Sequence, residues 1–255
     1  MKKRKLMKKN FSSVAIAFGL LLSAGVAFVT PAMAQRLETM AQSAVGGRIS
    51  FRPPADDPYP EQTRGGATRG RCQATSLMPR NGSGLTVHER ASVYVHVARH
   101  PEAKLDQAIL SLKSDGDENE QYDAIVELPE ASLSMPGGVL EIEFPESIPD
   151  LEIGKQYSWS LIMMCDGQPV RPDSPVVGGG IRRVAPTSAV AMSTGMTPTD
   201  RAIAYGEAGL WYDLLSTLAS NPPEASESAE FSEAWERIMT EVGISEEIAR
   251  STVIN

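Results

Sequence analysis

Two cysteines, Cys72 and Cys165, are the most reactive side chains of the sequence. Neither belongs to a Cys-x-x-Cys pair and neither has a histidine beside it, so their spacing does not indicate a metal site. Two isolated thiols stay reduced in the cytosol, whereas an oxidising compartment favours their pairing as a disulfide. The compartment therefore decides between two free thiols and one disulfide.

A run of oxygen-bearing side chains is the next candidate for chemistry. Asp115, Asp117 and Asn119 occupy alternate positions, as the ligands of Ca²⁺ do in a binding loop. The calcium-loop pattern requires Gly at its sixth position and Glu at its twelfth, where this chain has Glu120 and Val126. A solvated hairpin tip between two strands explains the run equally well, so calcium binding and a plain turn both stay open.

A glycine- and arginine-rich segment, Arg64–Gly70, precedes Arg71 and Cys72. Glycine amides and guanidinium groups can converge on a phosphate or carboxylate. The segment lacks the Gly-Lys-Ser/Thr ending of a P-loop. Arg64, Arg69 and Arg71 are therefore candidate residues for binding an anion or a partner; the alternative is that they pair with acidic side chains of the same chain.

The sequence contains no recognisable catalytic arrangement. His88, His96 and His100 lie in or near one predicted strand, without the His-x-His or His-Glu-x-x-His spacing of metal sites. His96 and Tyr94 alternate with apolar valines, so both are expected to face water. No Gly-x-Ser-x-Gly motif is present and no pair of carboxylates stands out. We predict no catalytic residue, no cofactor and no metal site formed by these histidines or by the cysteines.

The first 34 residues have the pattern of an export signal. A basic stretch, Met1–Asn10, is followed by a mostly apolar run, Phe11–Val29, and by Ala32-Met33-Ala34, which has the small-x-small form of a cleavage site. A retained membrane anchor is the alternative, since the apolar run is just long enough to span a bilayer. Glycine and serine within the run and Pro31 after it favour removal of residues 1–34 as a signal peptide.

The charge changes when this segment is removed. The whole chain of 255 residues has a formal net charge of −8, with 24 Lys and Arg against 32 Asp and Glu. All six basic groups of residues 1–34 lie in a segment without acids, so the remainder has a net charge of −14. Such an acidic body is a poor binder of nucleic acid. With 42% hydrophobic residues, collagen-like, disulfide-dense and wholly disordered classes are excluded.

Export also fixes the expected compartment. No later stretch is long and apolar enough to span a membrane, so we predict a soluble protein of the periplasm or the extracellular space. In that oxidising environment the disulfide is the favoured state of Cys72 and Cys165.

The remaining chain divides into four parts by composition. Residues 35–84 are rich in Gly, Pro and Arg and form an arm or an irregular strap. Residues 85–184 show a period of two, and six or seven short strands with Pro, Gly and Asp turns predict an immunoglobulin-like antiparallel β-sandwich. Residues 185–198 are a linker, and residues 199–255 are helical. The predicted inward-facing residues are Val93, Val95, Val97, Ala108, Leu110, Leu112, Tyr122, Ala124, Val126, Leu128, Leu140, Ile142, Phe144, Tyr157, Trp159, Leu161 and Met163.

Two local patterns refine this mainly β fold with C-terminal α-helices. Leu151–Trp159 resembles the tyrosine corner of immunoglobulin-like sandwiches, in which Tyr157 would hydrogen-bond backbone a few residues upstream; an ordinary core tyrosine is the alternative. Helices are predicted over Asp200–Ala208, Leu210–Ala219 and Phe231–Val242, the first two hinged at Gly209. The first two resemble a short tetratricopeptide-like helical hairpin.

Several motifs in one order resemble a known family. They are Arg64–Gly70 with Cys72, Leu85-Thr86 with Glu89-Arg90, Leu151–Lys155 with Tyr157 and Trp159, Cys165-Asp166, and Leu210–Asp213. Through these motifs the chain resembles a family of secreted cyanobacterial proteins known as a domain of unknown function, DUF928. The resemblance implies export from a cyanobacterial cell and a disulfide between Cys72 and Cys165. It implies no activity, cofactor or catalytic residue.

The leading functional hypothesis is a non-enzymatic exported envelope protein that acts as an interaction module. Its partner would be another envelope protein or a surface polymer, and the sequence gives no oligomeric state. The alternative is an envelope hydrolase or carbohydrate-active protein with dispersed carboxylates. The hypothesis of a binding module depends on fold-level analogy, because the sequence shows no nucleophile or cofactor motif.

Cleavage of the signal peptide is directly measurable. We expect protein recovered from the cell envelope or the medium to begin at Gln35, because signal peptidase cleaves after the second small residue of the pattern. N-terminal sequencing or intact mass measures this. A mature N-terminus within residues 1–30 would contradict the prediction.

Overall fold

A computed structural model describes residues 49–54, 71–116, 120–129, 137–166, 170, 174–191, 195–220 and 228–254. The strands in these ranges are β1 (Cys72–Ser76), β2 (Ser83–Thr86), β3 (Ser92–Arg99), β4 (Leu105–Ser114), β5 (Gln121–Glu127), β6 (Gly137–Glu143), β7 (Gln156–Cys165), β8 (Val176–Arg183) and β9 (Val253–Ile254). The helices are α1 (Ser188–Ala191), α2 (Pro198–Glu207), α3 (Trp211–Ala219), α4 (Ser228–Glu241) and α5 (Glu246–Ala249). The predicted signal peptide, residues 1–34, lies outside the described residues.

The strands form two mixed sheets. The first sheet has the order β1-β3-β6-β9 and the second has the order β2-β8-β7-β4-β5. The prediction of a mainly β fold with C-terminal helices is confirmed. The expectation of purely antiparallel sheets is wrong at two pairs, because β2 pairs with β8 and β9 with β6 in parallel. In both pairs a long stretch of chain separates the partners, and such a crossover permits parallel pairing where a hairpin does not.

Period-two burial explains how the sheets pack. Along most of β4 and β7, buried residues alternate with half-buried ones, because successive side chains of a strand point to opposite faces. The inward-facing residues predicted for β3, β4, β6 and β7 are buried and belong to one hydrophobic core. Tyr122 is an exception: it lies on β5, at the edge of the second sheet, and is 36% exposed.

The outer face of the first sheet is covered by helices. Tyr94 points away from the valines of β3, yet it is only 1% exposed. Its ring meets the Trp235 ring of α4 edge-on at 6.0 Å, and its hydroxyl donates to Glu141 Oε1 at 2.7 Å. His96 on the same face is half-buried. The expectation that Tyr94 faces water is therefore wrong, and the same expectation for His96 is met only in part. Alternation identifies the two faces of a strand but does not show whether a further layer covers the second face.

Part of the predicted arm belongs to the folded body. β1 and the first residues of β2 lie within residues 35–84, and β1 pairs antiparallel with β3. The small side chains of β1 gave no strong apolar pattern in the sequence. Upstream, the Phe51 ring packs edge-on against Trp211 with 4.8 Å between centroids, and the Arg52 amide donates to the Gly206 carbonyl at 3.0 Å. These residues lie as a strap on α2 and α3.

The predicted helices correspond to α2, α3 and α4. Thr197 caps α2, since its hydroxyl accepts a hydrogen bond from the Asp200 amide at 3.1 Å. Gly209, with φ of 71°, separates α2 from α3 at the predicted hinge. The predicted linker, residues 185–198, contains α1. Among the described residues, no helix has the length and apolar composition needed to cross a membrane.

The contact between β2 and α3 generates a stability prediction. A Cβ added at Gly84 would lie 2.9 Å from Cβ of Trp211 and 2.9 Å from Cε2 of Tyr212. We expect Gly84→Ala to lower the free energy of unfolding by about 1–3 kcal/mol, because α3 must shift to admit the methyl group. Urea unfolding followed by tryptophan fluorescence measures the change.

The matched control is Gly195→Ala, since a Cβ at Gly195 has no atom within 4 Å. This substitution is expected to change stability by less than about 0.5 kcal/mol. Equal effects of the two substitutions would show that the close approach of β2 and α3 does not limit stability.

Candidate functional site

A disulfide connects the two sheets. Cys72 of β1 is bonded to Cys165 of β7, 93 positions later in the chain, with 6.4 Å between the Cα atoms. The predicted disulfide is confirmed. Because β1 belongs to the first sheet and β7 to the second, the bond fixes one end of the shared core.

Arg71 lies beside this disulfide and is paired with acids. Its guanidinium lies 3.3 Å from Asp166 and 3.6 Å from Glu102. These contacts favour the alternative in which the arginines of this segment pair with acidic side chains of the same chain. The other two candidate anion-binding residues, Arg64 and Arg69, lie outside the described residues, so their role stays a prediction.

The candidate calcium run is only partly described. Asp115 is exposed in a turn after β4, whereas Asp117 and Asn119 lie outside the described residues. At the same hairpin, Lys155 Nζ lies 2.5 Å from Glu120 and 3.1 Å from Glu152, so a cation of the protein already neutralises these carboxylates. In the described part of the chain, no group of three or more His, Cys, Asp or Glu side chains is arranged to hold a metal ion.

Three consecutive buried residues at the start of α3 bind four different segments of the β-structure. We call Trp211, Tyr212 and Asp213 the α3 anchor. The Trp211 indole donates to the Leu77 carbonyl at 3.0 Å, directly after β1. The Tyr212 hydroxyl donates to the Gly180 carbonyl of β8 at 2.8 Å. It also accepts a hydrogen bond from the Trp159 indole of β7 at 2.8 Å.

Asp213 completes the anchor at the loop after β2. Its carboxylate is fully buried and accepts a hydrogen bond from the Val87 amide at 3.3 Å, while His88 Nε2 lies 3.3 Å away. The Thr86 side chain is a further hydrogen-bond partner. Burial raises the pKa of Asp213 to about 6, and the nearby His88 and the Thr86 hydrogen bond oppose that rise. The position in the first turn of α3 also favours a carboxylate.

This cluster holds α3 in place and does not form a nucleophilic triad. In a triad, the imidazole lies between the hydroxyl and the carboxylate and takes the hydroxyl proton. Here Thr86 and His88 both contact the Asp213 carboxylate, and the Thr86 hydroxyl accepts a hydrogen bond from the His88 amide at 3.1 Å. Asp213 was not among the site residues predicted from the sequence. The available signal was one carboxylate between apolar residues on both sides in Leu210–Leu215.

Two arginines fix the loop that carries His88. Arg183 donates to the Val87 and Leu151 carbonyls at 3.2 and 2.9 Å. Arg90 donates to the Pro145 carbonyl at 2.9 Å and pairs with Asp150 at 2.7 Å. The motifs around Leu85, Glu89 and Leu151 are therefore neighbours in the folded chain. The α3 anchor contacts the same group through Asp213.

The outer face of the second sheet is exposed, in contrast to that of the first. Register places Ile125, Ile109, Ile162 and Val176 directly opposite one another on β5, β4, β7 and β8. We call these four residues the aliphatic row. Ile125 is 64% exposed and Val176 is 45% exposed, whereas Ile109 and Ile162 are half-buried. The row is an apolar stripe that runs across four strands on the surface.

A polar row borders this stripe. Asp123, Ser111, Ser160 and Gly178 are paired across the same four strands, one step along each strand on the same face. The small side chains form the floor of a shallow trough of about 380 Å³ that Lys113 and Gln121 also line. A surface with an apolar stripe and a shallow polar floor is suited to binding.

The raised pKa of Asp213 generates a prediction about stability and pH. A carboxyl whose pKa is about 6 in the folded chain and 3.8 when unfolded binds its proton more tightly in the folded state. Stability is therefore lost as pH rises from about 4 to about 6 and is constant above, a change of about 3 kcal/mol. Asp213→Asn removes this titration. The difference in unfolding free energy between wild type and variant, measured by urea unfolding, should fall by about 2–3 kcal/mol between pH 4 and pH 7.

A second variant tests whether His88 influences the pKa of Asp213. Because His88 lowers the pKa of Asp213, His88→Gln should extend the loss of stability to higher pH. Parallel profiles of the wild type and Asp213→Asn over the whole range would contradict the prediction.

Comparison with curated proteins finds no match. Among solved structures, the chain matches the sporulation control protein Spo0M from Bacillus subtilis, with 13% sequence identity and a TM-score of 0.25. The match covers 49% of this chain and 55% of Spo0M, so the chain spans about half the length of that protein. At this TM-score the likeness supports no conclusion about fold or activity.

A family model described as Domain of Unknown Function (DUF928) matches residues 60–253. The matched region includes the disulfide, both sheets and the α3 anchor. The chain therefore belongs to the DUF928 family.

Proposed function

We propose that this protein is a non-enzymatic, exported interaction module of the cell envelope. It binds another envelope component through the outer face of the second sheet. The observation that supports this proposal is the difference between the two outer faces: helices cover Tyr94 on the first sheet, whereas Ile125 and Val176 remain 64% and 45% exposed on the second. Exposed apolar stripes with a polar border are typical of interaction surfaces.

Two features support export. The first 34 residues have the pattern of a signal peptide, and Cys72 and Cys165 form a disulfide. The proposed location is the periplasm or the extracellular space of a cyanobacterial cell, as the family resemblance implies.

We also propose that the body is related to immunoglobulin-like sandwiches. The disulfide between sheets supports this, as does Tyr157, whose hydroxyl accepts a hydrogen bond from the Glu152 amide at 3.2 Å, five residues upstream. The pair α2 and α3 is proposed as a tetratricopeptide-like hairpin hinged at Gly209.

Affinity capture tests the interaction proposal. The full chain with a C-terminal tag is expressed in its own host, and the envelope fraction is captured and identified by mass spectrometry. We expect one component to be enriched with the wild type and lost by about tenfold with Ile125→Lys, because a charge in the aliphatic row disrupts apolar contact. The matched control is Ile153→Lys, since Ile153 is 58% exposed but lies outside the row.

The rival function predicts a different result. If all three proteins enrich the same components, the row does not carry the interaction. If nothing is enriched and the purified chain hydrolyses a panel of glycans and esters, the protein is a hydrolase and the proposal is wrong.

A further inference from the structure

The spacing of the aliphatic row restricts the shape of what it binds. Its four side chains lie on adjacent strands, so they are separated by about 4.8 Å and extend over about 14 Å across the sheet. Along an α-helix, apolar residues at i, i+3 or i+4, and i+7 recur about every 5.3 Å of axis. In an extended peptide, side chains on one face recur about every 6.6 Å. The row therefore matches a helix lying across the strands better than an extended strand.

Charge restricts the occupant further. Asp123 and Glu127 are exposed and lie on either side of Ile125 on the same face of β5. They accept hydrogen bonds from Gln121 at 3.2 Å and Gln107 at 2.7 Å, which leaves their negative charge in place. One end of the aliphatic row is thus bordered by a carboxylate on each flank.

The cations of this face lie further along the strands from the row than its two acids do. In the described part of the second sheet, Lys113 and Arg182 lie on the outer face, two and three alternate positions from the row. Along their strands, Asp123 and Glu127 are one alternate position from the row, about 6.6 Å, whereas Lys113 is two positions away, about 13 Å between Cα atoms. An occupant of the row therefore experiences the acids of β5 more strongly than these cations.

We propose that the aliphatic row binds an amphipathic α-helix of a partner protein whose apolar stripe is flanked by Lys or Arg at the end that lies over β5. This inference rests on the proposed function, because it names the kind of partner that the interaction module takes. Apolar contact with Ile125, Ile109, Ile162 and Val176 supplies the burial, and the two carboxylates set the orientation.

A model peptide tests the proposal with the full-length protein. The probe is a fluorescent peptide of about 14 residues with Leu at i, i+3, i+4 and i+7 and flanking Lys, long enough to cross the row. A second peptide has the same composition with the Leu positions scrambled, and a third has Glu in place of Lys. Fluorescence polarisation is expected to show binding of the first peptide at least about tenfold tighter than of the other two.

Variants of the protein locate the site. Ile125→Lys should weaken binding of the first peptide by about tenfold, whereas Ile153→Lys should not change it. Ile125→Thr retains a β-branched side chain suited to a strand and should give a smaller loss, which separates loss of contact from misfolding.

Asp123→Asn with Glu127→Gln should weaken binding several-fold and reduce its salt dependence. Glu233→Gln is the control, because Glu233 is an exposed acid on α4, the helix that packs on the first sheet.

Each contrary result overturns the inference. Equal binding of the scrambled peptide would show general attraction to an acidic protein. Unchanged binding by Ile125→Lys would place the peptide elsewhere. If sedimentation shows that the protein self-associates and Ile125→Lys abolishes this, the occupant of the row is a second copy of the chain paired at β5. If affinity capture loses its component with Ile125→Lys while the peptide does not bind, the interaction module stands and the helical partner is wrong.

Discussion

The fold depends on how the first turn of α3 is held by the β-structure. Successive residues of a helix point about 100° apart, so three consecutive side chains cannot share one face. Trp211, Tyr212 and Asp213 are nevertheless all buried, because β-structure surrounds the start of the helix. Each polar atom has a partner from a different segment. Leaving any one of these buried polar atoms without a hydrogen bond would cost about 1–3 kcal/mol. The three hydrogen bonds therefore favour a single position for α3.

This position decides which sheet face stays exposed. With α3 held against the ends of β1 and β2, the chain continues into α4, whose Trp235 covers Tyr94 on the first sheet. The short parallel strand β9 then joins the edge of that sheet beside β6. α4 therefore packs on the outer face of the first sheet. The second sheet consequently keeps its outer face, with the aliphatic row, uncovered in the described part of the chain.

Local patterns in the sequence predicted the elements but not their associations. Alternating residues such as those of β7 identified the core face, and Thr197 and Gly209 marked helix boundaries, because these signals lie within a few residues of each other. Asp213 could not be assigned a role in the same way, since its partners Thr86 and Val87 are far away in the chain. The aliphatic row could not be predicted from the sequence either, because it is defined by the register of four strands.

The acids of β5 disfavour one way in which the exposed apolar row could pair with a second copy of the chain. β5 is the edge of the second sheet, and an edge strand with Ile125 exposed invites pairing with another strand. Antiparallel pairing of two copies centred on Ile125 would place Asp123 opposite Glu127 of the second copy, an unfavourable contact between like charges. A helix that lies on the face does not use the backbone edge and meets the same carboxylates with its basic flanks. The charges therefore disfavour this register of sheet extension while they favour a basic amphipathic helix on the face.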